Sequence, residues 1–236
     1  MSHAGPSART SPTTTRSPAQ TIRSTKLYHR QVYSFAYHRR KLALLRENQQ
    51  QKRFAPLADF LEHVPEICPH DLFRESSRAS QLPDFVVRNH LIVVEKENFA
   101  TRTATLIIPS VGNNRLRHET LQRFMLANDS VTIAVEIPIW LTPADIDALE
   151  VEHGIRLVPD GAPRILTGHI DFLQVRNGAI HILDYKPDAR TNKPIAQLAK
   201  LPCPFRLACL PTCAAGRPRA SRETISWSGT GNRFSQ

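Results

Sequence analysis

Asp171, Asp184 and Lys186 are the residues whose types and spacing promise chemistry. They lie in one stretch, Thr167 to Ala189, which reads TGHIDFLQVRNGAIHILDYKPDA. Asp184 and Lys186 are two apart, so on a strand their side chains share a face and Tyr185 takes the other. Asn177-Gly178 separates two apolar runs and is a strong hairpin signal. Positions 171 and 184 are symmetric about that dipeptide, so a two-residue hairpin sets the two aspartates opposite each other. Facing carboxylates repel unless a cation lies between them. Oxygen ligands suit Mg2+ or Mn2+. A lysine beside such an ion orients or activates water and stabilises charge developing on a phosphate. The chemistry indicated is metal-dependent hydrolysis of phosphodiesters.

The elements that must position these groups are read from the surrounding chain. Ile165–Leu173 and Ala179–Tyr185 form the hairpin, and Asn192 to about Leu201 reads as a following helix. Val131–Leu141 (VTIAVEIPIWL) is a nearly continuous apolar run and reads as a buried strand. Its one acid, Glu136, is costly there without a partner and becomes a third candidate metal ligand. A helix over Arg115 to Asn128-Asp129 precedes it, with an apolar face of Leu116, Leu121, Phe124, Met125 and Leu126. His118 in its first turns is a candidate nitrogen ligand, which would favour Mn2+. Gln197, on the helix after the hairpin, is placed to position substrate or a water on Lys186. Thr142 is an N-cap with Pro143 at the first helical position, opening a helix that stops at Gly154. His169 and His181 flank the site and read as outward-facing or supporting residues.

Gly168-x-x-Asp171, Ile182-Leu183-Asp184-Tyr185-Lys186 and Gln197-Leu198 together resemble the motifs of the PD-(D/E)xK nuclease superfamily, and most closely its RecB-like branch. The resemblance covers roughly residues 113–200. It implies an α/β, restriction-endonuclease-like core in which a mixed sheet is flanked by helices. It also implies that Asp171 and Asp184 bind the metal, that Lys186 is catalytic, and that His118 and Glu136 complete the site. The branch expects a tyrosine four positions after Gln197, where this chain has Leu201. Some members carry a [4Fe–4S] cluster held by one cysteine before the core and three after it. Here Cys68 precedes the core and Cys203, Cys209 and Cys213 follow, but their five- and three-residue gaps differ from the usual ones. An iron–sulfur cluster is therefore not expected.

The rest of the chain is divided accordingly. Residues 1–25 are Ser-, Thr-, Pro- and Arg-rich and read as a disordered basic tail. Residues 26–110 are a region of helices and strands. It opens on a long basic amphipathic helix from Tyr28 to about Phe54, followed by short helices broken by Pro65, Pro69 and Pro83. Strands are expected at Phe85–Val94 and Ala104–Pro109. Residues 111–201 hold the nuclease-like core, and 202–236 read as a poorly ordered tail rich in proline, cysteine and arginine. No stretch is long and apolar enough to cross a membrane, and no secretory signal is visible. The expected setting is intracellular, cytoplasmic or nucleoid-associated.

The formal net charge is +10. Residues 1–53 hold eleven Lys/Arg against one acid, and 202–236 hold five against one, while the middle is mildly acidic. Basic ends around an acidic metal site suit a nucleic-acid partner, with DNA as the expected one. The alternative is a catalytically inactive protein of the same fold that binds nucleic acid through its basic N-terminal helix.

Overall fold

A computed structural model describes residues 21–78, 99–153, 156, 158, 161, 164–185 and 225–227. In chain order these form β1 (Ile22–His29), β2 (Gln31–His38), α1 (Arg39–Glu47), α2 (Ala55–Ile67), α3 (Leu72–Glu75) and β3 (Ser77–Arg78). Then come α4 (Phe99–Ile107), α5 (Asn114–Asn128), β4 (Thr132–Leu141), α6 (Pro143–His153), β5 (Leu166–Arg176), β6 (Ala179–Tyr185) and β7 (Ile225–Trp227). Strands β1, β2, β4, β5 and β6 make an antiparallel sheet in that order. Short parallel pairings extend it: β3 on the start of β5, and β7 on β6. The fold class is α/β, a five-stranded antiparallel sheet flanked by helices.

Both faces of the sheet are covered. On one, Leu42 and Leu45 of α1 and Leu57, Ala58, Leu61 and Val64 of α2 meet Phe35, Ile137, Ile139, Ile170 and Leu173. On the other, Ala100 and Ala104 of α4 and Leu121, Met125 and Leu126 of α5 meet Val135, Phe172, Leu183 and Tyr185. Each fully buried leucine or phenylalanine contributes roughly 1.5–3 kcal/mol relative to exposure. These two layers hold α5, β4 and β5 in fixed relation.

The elements expected around the site form where their local signals place them. The register Phe172↔Leu183 to Arg176↔Ala179 closes β5 and β6 over Asn177-Gly178. Both turn residues have positive φ, 50° and 66°, the left-handed pair that a two-residue hairpin requires. At the start of α6, the Thr142 N–H donates to Asp145 Oδ2 (2.9 Å) and the Asp145 N–H donates back to Thr142 Oγ1 (3.4 Å). This is a reciprocal cap.

Five expectations are corrected. The long helix from Tyr28 to Phe54 is instead a β-hairpin, β1–β2, followed by the nine-residue α1. Leu27, His29, Phe35 and Tyr37 are buried at two-residue spacing, and β-branched and aromatic residues favour the pleated form. Arg30 turns the hairpin at φ 57°, and its side chain donates to the carbonyls of Arg74 and Ser76. The basic helix of this segment is the shorter α1, which carries Arg39, Arg40, Lys41 and Arg46. The expected strand Ala104–Pro109 belongs to α4 and the 3-10 turn after it, because Ala100, Thr103 and Ala104 are buried at helical spacing. Pro65 does not break its helix but sits in the last turn of α2. The N-terminal boundary at 25 also moves, since β1 begins at Ile22, and within the segment 202–236 residues Ile225–Trp227 add a strand to β6. The expected strand Phe85–Val94 and the helix after Asn192 lie outside the described residues. Among the described residues no helix is long and apolar enough to cross a membrane.

Candidate metal centre

The site grows from one stripe of α5. His118, Leu121, Gln122 and Met125 follow the i, i+3, i+4, i+7 spacing that faces a core. Leu121 and Met125 are fully buried against Phe172 and Tyr185. That packing aims His118 and Gln122 at the sheet. Glu136 of β4 and Asp171 of β5 come to meet them.

These two acids are neighbours across the β4–β5 ladder, flanked by the pairs Val135↔Phe172 and Ile137↔Ile170. Strict alternation would send their side chains into the α1/α2 layer or the α5 layer according to parity alone. The backbone breaks that parity. Glu136 has φ 52°, an uncommon conformation for a non-glycine residue. Asp171 meets α5, and so does its neighbour Phe172, while Ile170 and Leu173 join the opposite core.

His118 bridges the two acids. Its Nε2–H donates to Asp171 Oδ2 at 3.0 Å, and Nδ1 lies 3.3 Å from Glu136 Oε1. Burial disfavours the charged ring, but Asp171 and Glu136 together outweigh it and push its pKa up to about 10. Gln122 Nε2 donates to Glu136 Oε1 at 2.7 Å. The Tyr185 backbone N–H donates to Asp171 Oδ2 at 2.8 Å. Donor atoms of His118, Glu136 and Asp171 all lie within 4.8 Å of one another.

Three of the six residues singled out in the sequence are thus brought together. Asp184 is not one of the three. The hairpin has the symmetry expected for positions 171 and 184, but its ladder stops at Phe172↔Leu183. Asp171 reaches past that point to the Tyr185 N–H. Leu183 and Tyr185 both pack on α5, so alternation turns the buried Asp184 to the other face of β6. The acid that shares a site with Asp171 is Glu136. Lys186 and Gln197 lie outside the described residues. Gln122 and the Tyr185 backbone amide were not singled out in the sequence. Gln122 was within reach, since it stands one helical turn after His118 on the same stripe; the amide carried no sequence signal.

The three groups suit a divalent cation that displaces the His118 proton: two carboxylates then supply oxygen and the imidazole supplies nitrogen. Searches against protein-family models, curated proteins and solved structures each return no match to this chain.

Proposed function

We propose that this protein is a divalent-metal-dependent nuclease, with a restriction-endonuclease-like core of the PD-(D/E)xK kind, hydrolysing phosphodiester bonds in DNA. The observation that carries the proposal is the meeting of His118, Glu136 and Asp171, from a helix and two adjacent strands, within ion-binding range. Burying two acids side by side is costly, and a cation site is a reason to retain them. The basic N-terminal segment supplies attraction for a phosphate backbone.

A bound Mg2+ or Mn2+ would acidify a water and neutralise charge on the phosphate. Asp171 and Glu136 would hold it, and His118 would add a nitrogen once the metal displaces its proton. Gln122 keeps the Glu136 carboxylate turned inward, and the Tyr185 amide fixes Asp171. Glu136 takes the place of the motif's second acid at the ion, because Asp184 lies on the other face of β6. Lys186 follows β6 directly, and where the chain leaves the strand it would turn to orient the attacking water and stabilise the charge that develops on the phosphate.

The test is hydrolysis of single- and double-stranded DNA by the full chain with Mg2+ or Mn2+. Asp171→Asn, Glu136→Gln and Lys186→Ala should each reduce the rate by roughly a hundredfold or more while leaving the circular dichroism spectrum unchanged. Equal rates in wild type and variants would overturn the proposal. DNA binding without hydrolysis, insensitive to chelation and to Asp171→Asn, would assign the protein to the non-catalytic binders instead.

A further inference from the structure

A second set of donors lies on the α2 side of the sheet, apart from His118. We infer that His29, Cys68 and His70 form a binding site for a borderline-soft transition-metal ion such as Zn2+, which clasps the β1–β2 hairpin to the end of α2. The ligand atoms are His29 Nε2, His70 Nδ1 and Cys68 Sγ. His29 Nε2 lies 2.8 Å from His70 Nδ1 and 3.8 Å from Cys68 Sγ. Zinc–nitrogen and zinc–sulfur bonds of about 2.0 and 2.3 Å in a tetrahedron require ligand separations of about 3.3–3.6 Å. The observed pair distances straddle that range, so shifts of about half an ångström complete the geometry.

The surroundings are those of a metal site. A carbonyl only accepts, so the contact of His70 Nε2 with the Pro65 carbonyl (3.0 Å) fixes the proton on Nε2. That tautomer presents the Nδ1 lone pair toward His29. The other nitrogen of His29 is 3.0 Å from His169 Nε2, the supporting hydrogen bond that orients a ligating imidazole. His29 stacks on Phe73 (4.0 Å between centroids) and His169 stacks on Tyr33 (3.7 Å), which fixes both rings. Cys68 and His70 are joined by a tight turn over Pro69, in which the His70 N–H donates to the Cys68 carbonyl. His29 and Cys68 are buried.

Cysteine and histidine donors select against Mg2+, which separates this site from the carboxylate centre. The inference does not depend on nuclease activity. It is tested by titrating the full, chelator-stripped chain with Co2+ as a spectroscopic stand-in for Zn2+. The wild type should bind it with a thiolate charge-transfer band and the intense visible bands of tetrahedral geometry. Cys68→Ser should abolish the charge-transfer band, and His169→Ala should weaken affinity by about tenfold or more. Asp171→Asn should change neither. Zn2+ should also protect Cys68 from alkylation in the wild type, read at its own peptide by mass spectrometry, which keeps the test open if a variant fails to fold. A wild type without the charge-transfer band and without protection of Cys68 would overturn the inference, leaving a hydrogen-bonded histidine chain from His169 to Pro65.

Discussion

Glu136 sits in a strand with φ 52°, a conformation that costs an L-residue of this kind about 1–2 kcal/mol. The cost is borne where two acids must be turned onto the same helix, the setting in which local strain is retained for a site. A comparison at one position isolates it. Glu136→Gly and Glu136→Ala remove the same carboxylate, but glycine alone is free of the φ penalty. The glycine variant should be the more stable by about 1 kcal/mol, the reverse of the usual order in a strand. Urea unfolding of the two variants measures it, and an alanine variant as stable as the glycine one would show that the backbone carries no strain there.

The elements that carry the site are held by a polar joint where α5 hands over to β4. Buried Asp129 accepts from Thr132 Oγ1 and from Gln174 Nε2 (2.8 Å), tying the helix end to β4 and β5. Lys41 reaches in from α1, and its ammonium donates to the carbonyls of Leu126 (2.8 Å), Asp129 and Thr132 (2.9 Å). Those carbonyls include orphans of the α5 C-terminus, which need donors. Lys41→Met should therefore cost about 1–3 kcal/mol, the penalty for stranding buried acceptors. Burial lowers the Lys41 pKa to about 8, with Asp129 opposing. The folded chain thus releases this proton before the unfolded chain does. The joint adds a contribution to stability that rises with pH from about 8 toward 10.5. Lys41→Met should remove that slope, and unfolding curves at pH 7 and pH 9.5 would reveal whether it does.

At the scale of the molecule, the sheet separates two donor sets of different chemistry. Carboxylates and an imidazole gather against α5, and a thiol and imidazoles gather at the end of α2. β5 runs between them, with Asp171 serving one set and His169 supporting the other. The charge is distributed around this frame, with Arg39 and Arg40 exposed at the start of α1. If DNA is the partner, the logarithm of its affinity should fall linearly with the logarithm of salt concentration. Replacing both arginines by glutamine should lower that slope by roughly two, about one per phosphate contact, without altering sequence preference. A slope unchanged in the double variant would place the phosphate contacts elsewhere.

The sequence by itself determined the hairpin β5–β6, the buried strand β4, the helix α5 and the cap of α6. Their signals are local: Asn177-Gly178, an unbroken apolar run, an apolar helical stripe, and Thr142-Pro143. It also pointed to candidate ligands: Glu136 as a lone acid in an apolar strand, Asp171 from its place in the hairpin, and His118 from its place on the preceding helix. Tertiary structure decided the rest. The basic segment from Ile22 to His38 is a hairpin because its alternate residues find a sheet to pack on, and its charge hid that alternation. Ala104 and its neighbours are helical because Ala100 and Ala104 pack with Leu121 and Met125 of α5, where composition alone favoured a strand. The acid opposite Asp171 is Glu136 through a break in strand parity, which no side-chain pattern records. The meeting of His29 with His70 and with His169, 41 and 140 positions away, depends on which surfaces bury each other. Contacts across such separations are set by packing of the whole sheet, and spacing along the chain carries no trace of them.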